Sequence, residues 1–216
     1  MSHSFDNVRI TYDAGARLLE NDAPSNPFDL FSVWYADAAA AQISEPNAMS
    51  LATATPEGRP SVRTVLLKSV DANGFSWFGN YESRKGSELA ANPWASLNFW
   101  WSPLQRQVRV EGPVARVSAE ESDAYYAGRP RGSRLGAWVS PQSRTIPDRT
   151  FLEQRLAALE EEYADHEPQR PPYWGGWLLT PLSIEFWQGA PYRLHDRLLY
   201  QRPAPGAPWS ISRLAP

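Results

Sequence analysis

The sequence predicts a mainly β protein with peripheral α-helices, an α+β antiparallel barrel or sandwich, on three observations. Short strand-like runs bounded by turn residues recur through residues 48–117 and again through 177–213. Helical spacing of apolar residues is confined to a few separate segments. The 20 prolines are spread along the chain as punctuation and cluster only near 168–172.

Residues 1–25 are polar and without clear periodicity, and read as a mobile N-terminal arm carrying Arg9 and Tyr12. Residues 26–216 read as one domain. Asn26-Pro27 is a helix start, a capping side chain followed by proline at the first helical position. Phe28, Phe31, Trp34 and Ala38 continue it at helical spacing to about Ile43. Strands over 48–55 and 61–70 flank the turn 56–60 as a hairpin, and the turn 71–74 leads into a strand at 75–78. Ser83 caps a short helix over 84–92, stopped by Pro93. Strands follow at 95–101 and 107–117, then a helix through Tyr126 announced by the capping box Ser118…Glu121. Asp148 opens the clearest helix, with Phe151, Leu152, Leu156, Leu159 and Tyr163 as its apolar stripe. The last strands are predicted at 177–180, 184–188, 193–201 and 209–213.

Composition narrows the function. A formal net charge of −3 argues against a general nucleic-acid surface, so basic clusters are local features. The chain has no cysteine, which excludes thiolate catalysis, disulfides and Cys-ligated metals. Three scattered histidines suggest no metal site. No run approaches membrane-spanning length and the N-terminus lacks a signal-like apolar core, so a cytoplasmic protein is expected. Ten tryptophans point to a rich core or a large subunit interface.

Three stretches concentrate cations and hydroxyls. On a strand, Arg63 and Lys68 fall on opposite faces and would serve different ligands or ligand parts. Ser83-Arg84-Lys85-Gly86 sets two cations at a helix start, against the helix dipole, which a bound phosphate would explain. Tyr125…Arg129-Pro130-Arg131-Gly132-Ser133 reads as a loop suited to a second phosphate. No dinucleotide-binding or P-loop glycine pattern occurs. Finally, in a strand Arg193, His195 and Arg197 share one face within roughly 14 Å, and would repel without an anionic ligand among them.

Nearly the whole length also carries a specific ordered set of motifs. It includes Arg-x-Val-Leu-Leu-Lys at 63–68, Ser-Arg-Lys at 83–85, Arg-Gln-Val at 106–108 and Arg-Pro-Arg-Gly-Ser at 129–133. It continues with Gly-Ala-Trp-Val-Ser at 136–140 and Gln142-Ser143. Ile-Glu-Phe-Trp-Gln-Gly at 184–189, Arg-Leu-His-Asp-Arg at 193–197 and Arg-Leu-Ala-Pro at 213–216 complete it. In these motifs the chain resembles the pyridoxine (pyridoxamine) 5′-phosphate oxidases, FMN-dependent enzymes of vitamin B6 metabolism.

The resemblance implies an FMN-binding split barrel in a homodimer, with FMN at the subunit interface and O₂ as electron acceptor, releasing peroxide. It implies that Arg63, Arg84, Lys85 and Gln107 bind FMN from one subunit, and Gln142, Ser143, Trp187 and Arg197 from the other. The substrate phosphate falls to Lys68, Tyr125, Arg129 and Ser133, with Lys68 also near the cofactor. Arg193 and His195 orient the pyridine ring as the catalytic pair, and Arg9 and Tyr12 belong to the arm that closes over substrate. Phe78-Gly79 stands where relatives carry Tyr-Thr, so its flavin contacts would be through the backbone. The same fold also serves oxidases of other small molecules, such as phenazine precursors, and non-catalytic flavin- or haem-binding proteins.

Overall fold

Helix α1 (Pro27–Ala40) begins where a capped proline predicts it: the Asn26 side chain accepts the Phe28 N–H at 3.2 Å. The computed structural model describes residues 11–13 and 17–216. After α1 come β1 (Ala48–Ala54), β2 (Pro60–Leu66), β3 (Ser69–Asp71), β4 (Gly74–Asn80), α2 (Arg84–Ala91), β5 (Trp94–Trp101) and β6 (Arg106–Arg116). Helices α3 (Ala119–Ala127), α4 (Arg131–Val139) and α5 (Arg149–Glu162) follow in succession. The chain returns through β7 (Trp174–Leu179), β8 (Ser183–Gln188), β9 (Asp196–Gln201) and β10 (Ser210–Arg213). The architecture is mainly β with helices outside it, as the sequence predicts.

All strand pairs are antiparallel, in the order β10-β9-β8-β6-β5-β1-β2, with β3, β4 and β7 forming a second wing. Strand β6 joins the wings because it changes partner along its length. Residues 106–111 pair with β8, and residues 114–116 pair with β7. The change falls at Gly112-Pro113, where proline offers no N–H and the glycine leaves room for a crossing backbone. A Cβ on Gly112 would lie 2.1 Å from the Thr180 carbonyl oxygen.

Between the wings sits an aromatic core. Phe75, Phe99, Trp101 and Phe186 come from the strands, and α1 inserts Phe31 and Trp34. Phe31 meets Phe75 and Phe99 edge-on at 5.0 and 5.2 Å, and Trp34 meets Phe186 at 5.2 Å. Edge-to-face packing of this kind adds to the area term of each buried ring.

Three expectations need correction. The predicted strand over 61–70 is two strands: β2 stops at Leu66 and β3 starts at Ser69, because after Leu67, whose N–H still meets Asn47 in the β1 register, the Lys68 N–H turns to the Ser76 carbonyl of β4. The stretch 129–133 is the start of α4 rather than a free loop, with the Ser133 and Arg134 N–H groups closing on the Pro130 carbonyl. The strand predicted to begin at Arg193 begins at Asp196, after a tight turn. The apolar stripe of α5 is only half-buried, since this helix packs on α4 and not on the sheet.

Candidate active site

A cleft of about 760 Å³ opens between β2, β4 and the N-termini of α2 and α4. It gathers Arg63, Lys68, Phe78, Gly79, Arg84, Lys85, Tyr125, Arg129, Ser133, Gln142 and Ser143 from an 81-residue span of the sequence, positions 63 to 143. Arg63 and Lys68 keep the alternation of β2, with 61, 63, 65 and 67 the more buried set and 62, 64 and 68 exposed, yet both line the cleft because it takes residues from both faces of the strand.

Arg63 is held in place by its neighbours. Its guanidinium donates to the Leu51 carbonyl at 3.1 Å and to the Thr53 hydroxyl at 2.6 Å, and lies 3.5 Å from the Glu88 carboxylate. Burial would raise the pKa of Glu88, but hydrogen bonds from Ser61, Thr53 and Arg84 outweigh it and lower the value to about 2. Glu88 therefore stays ionised and fixes both Arg63 and, at 2.9 Å, Arg84. This buried acid was not singled out from the sequence, although its position four residues after Arg84 was a usable signal.

Lys85 is different. It is buried at 7% exposure, and its ammonium donates to the Ser83 hydroxyl at 3.1 Å and to the Gln142 side-chain carbonyl at 2.5 Å. No carboxylate pairs with it among the described residues. Burial, reinforced by the charge of Arg63, lowers its pKa to about 8. The ammonium lies against β4 because residue 79 has no side chain: a Cβ there would come within 3.3 Å of Nζ. Gln142, allotted by the resemblance to the partner's half of the site, lies in the same chain as Lys85, and Ser143 lines the same cleft.

Arg129 repeats the pattern at the other end. One of its terminal nitrogens is buried without a hydrogen-bond partner, and burial lowers the guanidinium pKa. Its guanidinium carbon stands 4.5 Å from the centre of the Trp174 ring. Tyr125 stacks face to face on Phe78 at 3.8 Å, and both rings run nearly parallel to Trp174. Trp174 carried no signal in the sequence as part of a site. Two desolvated cations, each beside a helix N-terminus, make the cleft a receptor for two anionic groups.

The remaining candidates lie on another surface. Gln107, Trp187 and Arg197 are neighbours in register across β6, β8 and β9, outside the lining of the cleft. Arg197 pairs with Glu185 at 2.8 Å and donates to the Ala215 carbonyl at 2.6 Å. Arg193 does not share a strand face with His195 and Arg197. It is exposed on a turn in which Tyr192 and Arg193 both have positive φ, at 57° and 65°. Two consecutive left-handed non-glycine residues store strain of about 1–3 kcal/mol each, the kind of cost found where a side chain is presented for use.

The Nδ1 of His195 accepts the Ala190 N–H at 3.1 Å. An amide can only donate, so the ring proton of neutral His195 is on Nε2. Burial, and then the charge of Arg193, lowers its pKa, which favours that neutral donor form. Tyr12 and Trp187 flank the ring at 5.6 and 4.6 Å between centroids. Arg9 lies outside the described residues. Beside His195, Asp196 accepts from Arg17 at 3.0 Å, from the Leu18 N–H at 3.2 Å and from Arg213 at 2.8 Å. Arg213 also holds Glu20 at 2.6 Å.

The chain is similar to known proteins in sequence and fold. Residues 35–163 match the family model described as pyridoxamine 5′-phosphate oxidase, and residues 174–216 match the pyridoxine 5′-phosphate oxidase C-terminal dimerisation region. A pyridoxine/pyridoxamine 5′-phosphate oxidase of Cyanothece sp. is 54% identical over 216 residues, covering 100% of both chains. The crystal structure of PhzG from Burkholderia lata 383, in complex with tetrahydrophenazine-1-carboxylic acid, superposes with a TM-score of 0.87 at 34% identity, over 94% of this chain and 100% of that one. A pyridoxamine 5′-phosphate oxidase-related, FMN-binding protein of Nostoc punctiforme shares the fold at a TM-score of 0.70 and 18% identity, over 90% of this chain and 100% of that one. No helix among the described residues is long and apolar enough to cross a membrane.

Proposed function

The chain belongs to the pyridoxine/pyridoxamine 5′-phosphate oxidase family, and from that premise we propose that it oxidises pyridoxamine and pyridoxine 5′-phosphates to pyridoxal 5′-phosphate with FMN and O₂. The observation that carries the reading is a pair of desolvated cations in one cleft, buried Lys85 and half-buried Arg129, neither matched by a carboxylate among the described residues. One phosphate belongs to the cofactor and the other to the substrate.

Lys85, Arg84 and the N-terminus of α2 hold the FMN phosphate, with Arg63, Gln142 and Ser143 along the cofactor and Phe78-Gly79 beneath it through the backbone. Lys68, Tyr125, Arg129 and Ser133 hold the substrate phosphate. Trp187 and Arg197 complete the flavin site from the partner subunit, on a sheet whose C-terminal part matches a dimerisation region. Gln107, which the resemblance groups with Arg63, Arg84 and Lys85, goes with them because it pairs in register with Trp187 outside the cleft. Arg193 and His195 come with them and lie against the pyridine ring, with Arg9 and Tyr12 closing the arm over substrate.

FMN, when bound, would supply the two-electron oxidation of the carbon bearing the 4′ amine or alcohol; the two electrons and two protons lost from that C–N or C–O unit would leave on O₂ as hydrogen peroxide. The imine formed from the amine substrate would then hydrolyse to the aldehyde with loss of ammonia. The chain's own contribution is placement and electrostatics: Arg193 stabilises charge that develops on the ring, and His195 donates from Nε2–H. With Nδ1 engaged by Ala190, His195 is a positioning donor rather than a base. The enzyme works as a cytoplasmic homodimer.

The test is direct. The purified protein should be yellow, and pyridoxamine 5′-phosphate under air should yield aldehyde and peroxide. Fully bound FMN with no aldehyde formed would sink the assignment. A phenazine-type oxidase is the second reading, favoured by the likeness to PhzG; the four-residue phosphate receptor has no purpose on a substrate without phosphate.

A further inference from the structure

Arg129 and Tyr125, the two long side chains of the proposed substrate-phosphate receptor, share one support. The Trp174 indole lies under the Arg129 guanidinium at 4.5 Å and runs within 8° of parallel to the Tyr125 ring at 6.2 Å. Phe78 closes the group by stacking on Tyr125 at 3.8 Å and lying 19° from the Trp174 plane. Trp174 is itself fixed. It is 6% exposed, it meets Tyr126 edge-on at 5.4 Å, and its backbone carbonyl accepts from Arg170 at 2.6 Å.

We propose that Trp174 is a positioning residue for the phosphorylated substrate, acting through Arg129 and, with Phe78, through Tyr125. The physical case rests on Arg129. A guanidinium with a buried, unpartnered nitrogen and, among the described residues, no carboxylate in an ion pair with it needs another reason to stay in the cleft. An aromatic face supplies one, because it attracts a cation without occupying the N–H groups that must meet an oxyanion. A carboxylate in the same place would neutralise the charge and compete with the phosphate. The parallel rings leave Tyr125 little room to rotate, so its hydroxyl is aimed before substrate arrives. The inference rests on the proposed function, since it needs a phosphorylated substrate in this cleft.

The experiment uses the FMN-loaded enzyme and two variants, Trp174→Leu and Trp174→Phe, each also made in an Arg129→Ala background. Turnover of pyridoxamine 5′-phosphate by the unaltered enzyme tests the function itself; its absence overturns that reading before Trp174 is judged. Given turnover, Trp174→Leu should raise KM about tenfold and weaken calorimetric binding of pyridoxal 5′-phosphate equally, with kcat and FMN affinity unchanged. Trp174→Phe, which keeps a ring under the guanidinium, should recover most of the loss. In the Arg129→Ala background the same changes should have a clearly smaller effect, leaving only the part carried through Tyr125. An unchanged KM, a fall in kcat and FMN affinity in step with Tm, or full additivity with Arg129→Ala would each overturn the proposal. Should Trp174→Leu fold poorly, Trp174→Phe read in the two backgrounds decides alone.

Discussion

The cleft and the β8–β9 face hold their cations in opposite conditions. On the face, Arg197 lies 2.8 Å from Glu185, and Arg109 pairs with the same carboxylate. In the cleft, Lys85 and Arg129 are desolvated and have no carboxylate partner among the described residues: Lys85 meets the Ser83 and Gln142 side chains, and Arg129 the Trp174 ring. Where charges are matched within the chain, they hold the structure together. Where they are left unmatched, the fold carries a standing electrostatic cost that an anionic ligand removes on arrival. Surface counts of basic residues would not separate the two regions; burial and partner do.

The sharpest way to break the comparison is to unbalance the matched side. Glu185→Gln should destabilise the protein by about 3 kcal/mol, seen as a lower midpoint in urea unfolding, because it leaves two arginines facing a neutral group. An unchanged midpoint would mean that the β8–β9 pairs are dispensable. Next in size, Lys85→Met should weaken FMN binding about 30-fold, or about 2 kcal/mol, in a flavin titration. The same change should not lower the Tm of the flavin-free protein, since it removes a buried unpaired charge; a drop of several degrees would put Lys85 on the structural side. Arg129→Ala should raise KM for the phosphorylated substrate about tenfold with little change in kcat. An unaltered KM would argue against the second anion site.

The smallest expected effect is on pH. Lys85 in the ligand-free protein has its pKa lowered to about 8. A bound phosphate favours the charged form and raises it, so above pH 8 binding must be accompanied by proton uptake. FMN affinity should therefore be flat just below pH 8 and decline as pH rises through it, by less than tenfold per unit. Lys85→Arg, charged throughout, should abolish the decline; if it persists, another group is responsible.

Much of the fold was legible because its signals are local. The Asn26-Pro27 cap, the Ser118…Glu121 capping box and the Asp148 start all mark observed helices, and Asp148 accepts the Phe151 N–H as read. The boundaries that failed depend on distant partners. Nothing near Lys68 says that its N–H turns to Ser76, yet that bond ends β2 and starts the pairing of β3 with β4. The start of β9 was misplaced for a similar reason. An alternating Arg193, His195, Arg197 pattern resembles a strand, but Tyr192 and Arg193 occupy left-handed conformations that residue type does not announce. In the site, cationic motifs could be found by composition, whereas the supports behind them, Glu88 and Trp174, could not.

Asp196 ties residues 17 and 18 to Arg213, and Arg213 ties itself to Glu20, so the two ends of the described fold hang from one carboxylate. In folding terms they form a single cooperative unit, although nearly the whole sequence separates them. Hydrogen exchange at the Leu18 amide and along β10 should accordingly respond together to Asp196→Asn, both becoming faster, while the aromatic core stays protected. A tag or truncation that disturbs one end is then felt at the other, and at His195, the residue next to their common anchor.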